Sequence, residues 1–297
     1  MSQQKRSLFR GAATALVTPM KNGGVDLDAF RRLIEFQIGG GIDALVVAGT
    51  TGEASTLSDG EYTELLRCAV QSAAGRVPVI AGAGSNCTAH ALKMSRFAQE
   101  CGCDGLLLVT PYYNRATERG LVEHYLTLAN ATDLPILLYN VPSRTGVRLT
   151  MPVYRALAEH PRILGVKDAS GDAAAGAEIL AELGECFDLY SGNDDITLPL
   201  LALGGAGVIS VASNIMPAEI QRLCAAFDEG RYEEARSLFL ATLPLCRALF
   251  AEVNPIPVKS ALAMMGFCEE EYRLPLCPPS EETKKRLRTE LKRVGLL

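Results

Sequence analysis

The sequence lacks the long runs that would tie it to a membrane or a polyanion. No segment approaches the roughly 18 uncharged apolar residues of a membrane span. Basic residues never accumulate: 29 Lys and Arg stand against 34 Asp and Glu, a net charge of −5, which argues against nucleic acid or an anionic membrane as partner. The N-terminal stretch has two early basic residues, Lys5 and Arg6, and Arg10 interrupts its apolar residues, so no signal peptide is expected. Histidine is scarce. His90, His124 and His160 stand alone, and the spacing of Cys101 and Cys103 is not that of a CxxC pair, so no metal-ligand cluster is expected. The nine cysteines are odd in number and scattered. That fits ordinary thiols in a reducing cytosol better than a disulfide framework.

What is present is a chain of 297 residues, 48% hydrophobic, long enough for two average domains or one large α/β barrel. Eight short apolar runs read as strands: 14–17, 44–49, 77–82, 105–110, 135–140, 163–167, 187–192 and 207–212. Helical patterns separate them. Leu27, Phe30, Leu33, Ile34 and Ile38 share one face ahead of Gly39–Gly41, which stop the helix. Ser58 and Glu61 form a capping-box pattern before Tyr62, Leu65, Leu66, Ala69 and Val70. Thr150 and Pro152 mark a first turn. Eight alternating units predict a parallel sheet closed into a (β/α)8 TIM barrel, with a doubly wound open sheet as the alternative. No GxGxxG follows the first strand, which weakens a dinucleotide-binding version. After residue 212 only helical patterns remain, so a barrel over 1–225 and a C-terminal helical extension over 226–297 are expected.

In such a barrel the chemistry sits at the C-terminal ends of the strands. Lys167 ends the run "ILGVK" there, where an ammonium loses solvation. It has three readings: a structural ion pair with Asp168 or Asp194, a point charge for phosphate, or an amine that forms a Schiff base with a carbonyl substrate. The third is favoured, because burial lowers an amine's pKa and only the free base attacks. The glycine-rich "LGGAG" (203–207) precedes the eighth strand, and Asp194 and Asp195 would repel a phosphate. Alternation places Lys167, Gly165 and Ile163 inward and Val166 and Leu164 toward the helices. Gly165 then leaves room for the lysine stem. Tyr139, on the neighbouring strand, comes within reach of the amine. Imine chemistry moves several protons, for which Tyr139, Thr50 and Tyr113 offer a hydroxyl relay. "GTTGE" (49–53) suggests amides and hydroxyls gathered round an anion, and Arg144 is a natural partner for a carboxylate. Each also has a plainer reading: a capped core tyrosine, a turn, an interface aromatic at Tyr112 and Tyr113, a surface arginine.

With these residues in place the chain resembles the dihydrodipicolinate synthase family, among the pyruvate-dependent class I aldolases that include N-acetylneuraminate lyase. "GTTGE", "VTPYYN", "YNVPSRTG", "GVISV" and "NPIPVK" (254–259) carry the resemblance, which runs from "ALVTPM" (15–20) to "RLPLCP" (273–278). It implies a (β/α)8 barrel with a helical extension, assembled as a homotetramer, a dimer of dimers, in the cytoplasm. It also implies condensation of pyruvate with L-aspartate 4-semialdehyde, on the path to lysine and diaminopimelate, with neither metal nor organic cofactor. On this resemblance Lys167 forms the Schiff base and Tyr139 donates and accepts protons. Thr50 and Tyr113 complete the relay, with Tyr113 entering the neighbouring subunit's site. Thr51 and Ile209 contact pyruvate, and Arg144 receives the semialdehyde carboxylate.

Departures from the family pattern lie at Asp168, where Glu is common, and at Asn193, where Asp is common. A lysine-effector pocket is matched at Asn86 and Tyr112 but not at Ala54, Asp59 and His90, so weak or absent lysine inhibition is expected. Within the same chemistry, a pyruvate-linked aldolase or lyase acting on a sugar acid or hydroxy-oxo acid would keep Lys167 and Tyr139 but need a polyol-binding loop in place of Arg144. A non-catalytic ligand-binding barrel would gain nothing from a desolvated lysine beside a phenol.

Overall fold

Short runs of Ala, Val, Leu and Ile form eight parallel strands in the computed structural model, which describes residues 7–297; Lys5 and Arg6 lie outside them. The strands are β1 (Gly11–Ala15), β2 (Ala44–Val47), β3 (Val79–Gly82), β4 (Gly105–Val109), β5 (Ile136–Asn140), β6 (Ile163–Asp168), β7 (Asp188–Ser191) and β8 (Gly207–Ser210). Each pairs with the next, and β8 returns to β1 to close the TIM barrel. A short hairpin, Met20–Lys21 with Gly24–Val25, follows β1.

Two apolar layers hold the barrel. Inside it lie Ala13, Val46, Ile80, Leu107, Leu137, Tyr139, Tyr190 and Ile209. The outward-facing strand residues, such as Val47, Leu108, Leu138 and Val166, pack with Phe30, Leu33, Leu65 and Leu66 from the helices. Strands covered on both faces explain the near-continuous apolar runs, and each fully buried Leu, Val or Ile contributes about 1.5–3 kcal/mol. Ser58 caps the helix Asp59–Ala73 through the full capping box with Glu61, and Pro152 occupies the first turn of Met151–Ala158.

Strand β1 begins three residues before the expected run at 14–17. Its first residues are small, carrying no strand signal, because the barrel closes there by close approach. A Cβ on Gly207 would stand 1.8 Å from the Gly11 carbonyl oxygen.

The expected alternation in β6 is corrected by a bulge. Ile136 pairs with Ile163 but Leu137 pairs with Gly165, so Leu164 is the extra residue. Leu164 consequently joins the barrel interior and Ile163 the helix-facing layer, the reverse of the expectation. Gly165 has a different reason from room for the lysine stem: a Cβ there would lie 2.2 Å from the Asp188 carbonyl oxygen of β7.

Beyond β8 the chain is helical: Pro217–Asp228, Tyr232–Ala248, Ile256–Met264 and Glu281–Arg293. The expected division at 225/226 falls within the first of these. Among the described residues no helix is long and apolar enough to cross a membrane.

Candidate active site

The register of β5 and β6 sets Tyr139 beside Lys167, and β7 adds Tyr190 on the other side. All three side chains face the barrel interior. Lys167 is 5% exposed and Tyr139 7%, and the ammonium nitrogen lies 4.6 Å from the centre of the Tyr139 ring. Thr110 holds this end of β5, since both its amide and its hydroxyl donate to the Tyr139 carbonyl at 3.0 Å.

The two carboxylates considered as partners for Lys167 are engaged elsewhere. Asp168 points away from the interior and ties the strand ends together: Asn140 Nδ2 donates to it at 2.6 Å and Ser170 Oγ at 2.5 Å. It caps the following segment. Asp194 is turned into the protein, accepting from Ser210 Oγ at 2.5 Å and from the amides of Val211 and Ala212 at 3.0 Å. Burial pushes its carboxyl above the usual carboxylate range, against the pull of these donors and of the Lys167 charge. Asp194 therefore fixes the end of β8, the strand that carries Ile209, rather than forming part of an open acidic loop. Asn214 clasps the same end, accepting from Val17 N–H and donating to Ala15 O.

"GTTGE" forms a tight loop after β2. Ala48, just before it, and Glu53, its last residue, lie in the left-handed region, at φ 53° and 54°. Such backbone costs about 1–3 kcal/mol per residue and persists where surrounding structure enforces it. Thr18 Oγ1 donates to the Gly52 carbonyl. Within the loop, the Gly52 and Glu53 amides bond back to Gly49 and Thr50.

A cavity of about 420 Å³ opens at the C-terminal ends of β2–β5, lined by Thr50, Glu53, Tyr139, Arg144 and Asn254 among others. Lys167, Thr51 and Ile209 are buried outside its lining. Tyr139 joins the two regions, lining the cavity while its ring carries the lysine. Arg144 sits in the short helix Pro142–Thr145 after β5, and its Nη2 donates to the Asn254 carbonyl at 2.9 Å. Tyr113 is not brought into this chain's cavity: it is 87% exposed and holds φ 74°, a rare conformation for a bulky residue.

Residues 8–294 match the model of the dihydrodipicolinate synthetase family. The chain belongs to that family. A member from Alkaliphilus oremlandii, named 4-hydroxy-tetrahydrodipicolinate synthase, is 49% identical over 290 residues, covering 98% of this chain and 100% of its own length. A member of the same name from Geobacter sulfurreducens is also 49% identical, with the same coverage. Among solved structures, the dihydrodipicolinate synthase of Thermotoga maritima is 44% identical and superposes with a TM-score of 0.96, covering 98% of this chain and 100% of its own.

In this member of the family three side chains around the site escaped the sequence reading. Lys259 and Glu53 form an ion pair at 2.6 Å with both side chains fully buried. Lys259 also sits 5.3 Å from the Tyr272 ring centre. Asn254 Nδ2 donates to Thr51 Oγ1 at 3.0 Å. Lys259 carried the same signal as Lys167, an ammonium within an apolar run, "IPVKSALAM". Asn254 opens the "NPIPVK" motif, but the motif did not reveal its role, because its partners lie more than a hundred residues away in sequence.

Proposed function

We propose that the chain catalyses the Schiff-base aldol condensation of pyruvate with L-aspartate 4-semialdehyde to give 4-hydroxy-tetrahydrodipicolinate, in lysine and diaminopimelate biosynthesis. One observation carries the reading: a buried lysine amine 4.6 Å from a buried phenol ring that also lines the cavity. A nucleophile needs a proton carrier within reach, and that pairing supplies it. The names of the curated relatives support the choice of reaction.

In this reading the Lys167 amine attacks the pyruvate ketone, and water leaves as the protonated imine forms. The imine draws electrons from the methyl group, which loses a proton to give the enamine. The enamine carbon attacks the aldehyde. The semialdehyde's own amine then displaces Lys167 by transimination and closes the ring. Tyr139 moves the protons, with Thr50 and Tyr113 completing the relay, and no metal or organic cofactor takes part. Thr51 and Ile209 contact pyruvate, and Arg144 receives the carboxylate of the second substrate. Tyr113 projects outward to reach the site of a neighbouring copy in a homotetramer built as a dimer of dimers. A cytoplasmic location goes with this reading.

Incubation with pyruvate and borohydride tests it directly. The expected product is a reduced adduct on Lys167, with pyruvate consumption that depends on added aspartate semialdehyde. An adduct elsewhere, or consumption indifferent to the semialdehyde, overturns the assignment.

A further inference from the structure

Asn254 stands just ahead of the helix Ile256–Met264, outside the barrel strands, and is 6% exposed. Its side chain and its backbone face two different groups of the site. Nδ2 donates to Thr51 Oγ1 at 3.0 Å, while the main-chain oxygen accepts from Arg144 Nη2 at 2.9 Å. In the same segment Lys259 reaches back to Glu53, in the same loop as Thr51, at 2.6 Å. The segment therefore grips "GTTGE" twice, through two buried polar contacts.

A hydroxyl has one proton to give and two lone pairs with which to accept. At Thr51 one lone pair is taken by the Asn254 amide. The hydroxyl proton is then not drawn toward Asn254 and remains available to a ligand. A carboxylate only accepts, so a hydroxyl held in this state is the matching donor. Asn254 Oδ1 is buried without a partner among the described residues. An Asp at this position would put a negative charge there, close to where an anion is to bind.

Resting on the synthase reading, we infer that Asn254 is a positioning residue of this site. It sets the Thr51 hydroxyl as a proton donor toward the pyruvate carboxylate, and it anchors Arg144 for the carboxylate of the second substrate. A residue of the C-terminal segment thereby governs anion recognition at the barrel mouth.

The test compares Asn254→Asp, Asn254→Ala, Thr51→Val and the double variant Thr51→Val/Asn254→Asp. The readouts are kcat and KM for pyruvate across pH, and the borohydride adduct located by mass. In Asn254→Asp the carboxylate draws in the Thr51 proton, and the pyruvate KM is expected to rise about 10- to 100-fold. The KM change should exceed the change in kcat, the mark of lost substrate binding. Lowering the pH protonates the new carboxyl, which can then donate as the amide did, so the KM should recover; a purely structural defect would not. With Thr51→Val there is no hydroxyl to misdirect, so adding Asn254→Asp should cost far less than it does alone. A pyruvate KM within about twofold of wild type in Asn254→Asp, or costs that simply add in the double variant, overturns the inference. If Asn254→Asp does not fold, Asn254→Ala decides: a raised pyruvate KM that largely disappears as an added cost once Thr51 is already Val supports the role, and an unchanged KM or a fully additive cost removes it. Wild-type protein that forms no adduct at Lys167 overturns the synthase reading itself. An adduct at Lys167 together with an unchanged Asn254→Asp overturns only the role of Asn254.

Discussion

Lys167 and Tyr139 are register partners on adjacent strands, with the ammonium 4.6 Å from the centre of the phenol ring and both side chains almost fully buried. Neither the bulge in β6 nor the closing glycines disturbs this pairing, because both lie further down the strands. Replacing Lys167 by Ala is expected to abolish the borohydride adduct and lower turnover by about 10³-fold or more. Tyr139→Phe should still form the adduct, with a rate about 10²- to 10⁴-fold lower. Full-rate trapping in Tyr139→Phe would remove the phenol from the proton path.

Arg144 lines the cavity and is fixed by the Asn254 carbonyl. Arg144→Ala is expected to leave pyruvate trapping nearly unchanged while lowering kcat/KM for the semialdehyde about 10- to 100-fold. Single-turnover trapping beside steady-state kinetics separates the two steps. Equal losses in both would show that Arg144 serves the first step as well.

The Glu53–Lys259 pair is wholly buried. Removing one member leaves the other charged in a low-dielectric interior, so Lys259→Met should destabilise the protein by about 3–5 kcal/mol. Urea unfolding measures this directly. A loss below about 1 kcal/mol, the range of exposed pairs, would mean that water reaches the pair.

Arg273 grips Glu61, and its hydrogen bonds to the Glu61 carboxylate lower the glutamate's pKa to about 2 from 4.5. A carboxylate depressed in the folded state contributes stability above its unfolded pKa and loses it as pH falls through the folded value. Stability from this contact is therefore complete at neutral pH and fades between about 4.5 and 2. Arg273→Leu should be less stable at pH 7 and show a flatter decline across that window. Parallel denaturation curves for the two proteins from pH 7 to pH 3 would discount the contact.

The cavity reaches Ala54, Asp59, His90 and Tyr112. Each of its two carboxylates already faces a lysine, Asp59 with Lys93 and Glu53 with Lys259. Among the described residues no unpaired carboxylate lines the cavity to receive an effector's ammonium. Activity should stay flat as free lysine is raised through the millimolar range, and strong inhibition there would sink the expectation.

The sequence by itself determined the eight strand–helix units, the capping box at Ser58 and Glu61, and the placement of Lys167 and Tyr139 at neighbouring strand ends. These features are local: apolar runs, cap residues and period-two alternation act over a few residues, and the barrel rule then assigns the functional face. Only the tertiary structure decided the rest. It decided that β1 starts at small residues, because its pairing with Gly207 depends on a strand nearly two hundred residues away. It decided that Leu164 turns inward, since a bulge is set by the partner strand's register. Asp168 became a strand-end cap and Asp194 the anchor of β8 through hydrogen bonds that no short window of sequence contains. Asn254 and Lys259 reach the "GTTGE" loop across two hundred residues, and a buried polar group shows its purpose only when its partner is in view.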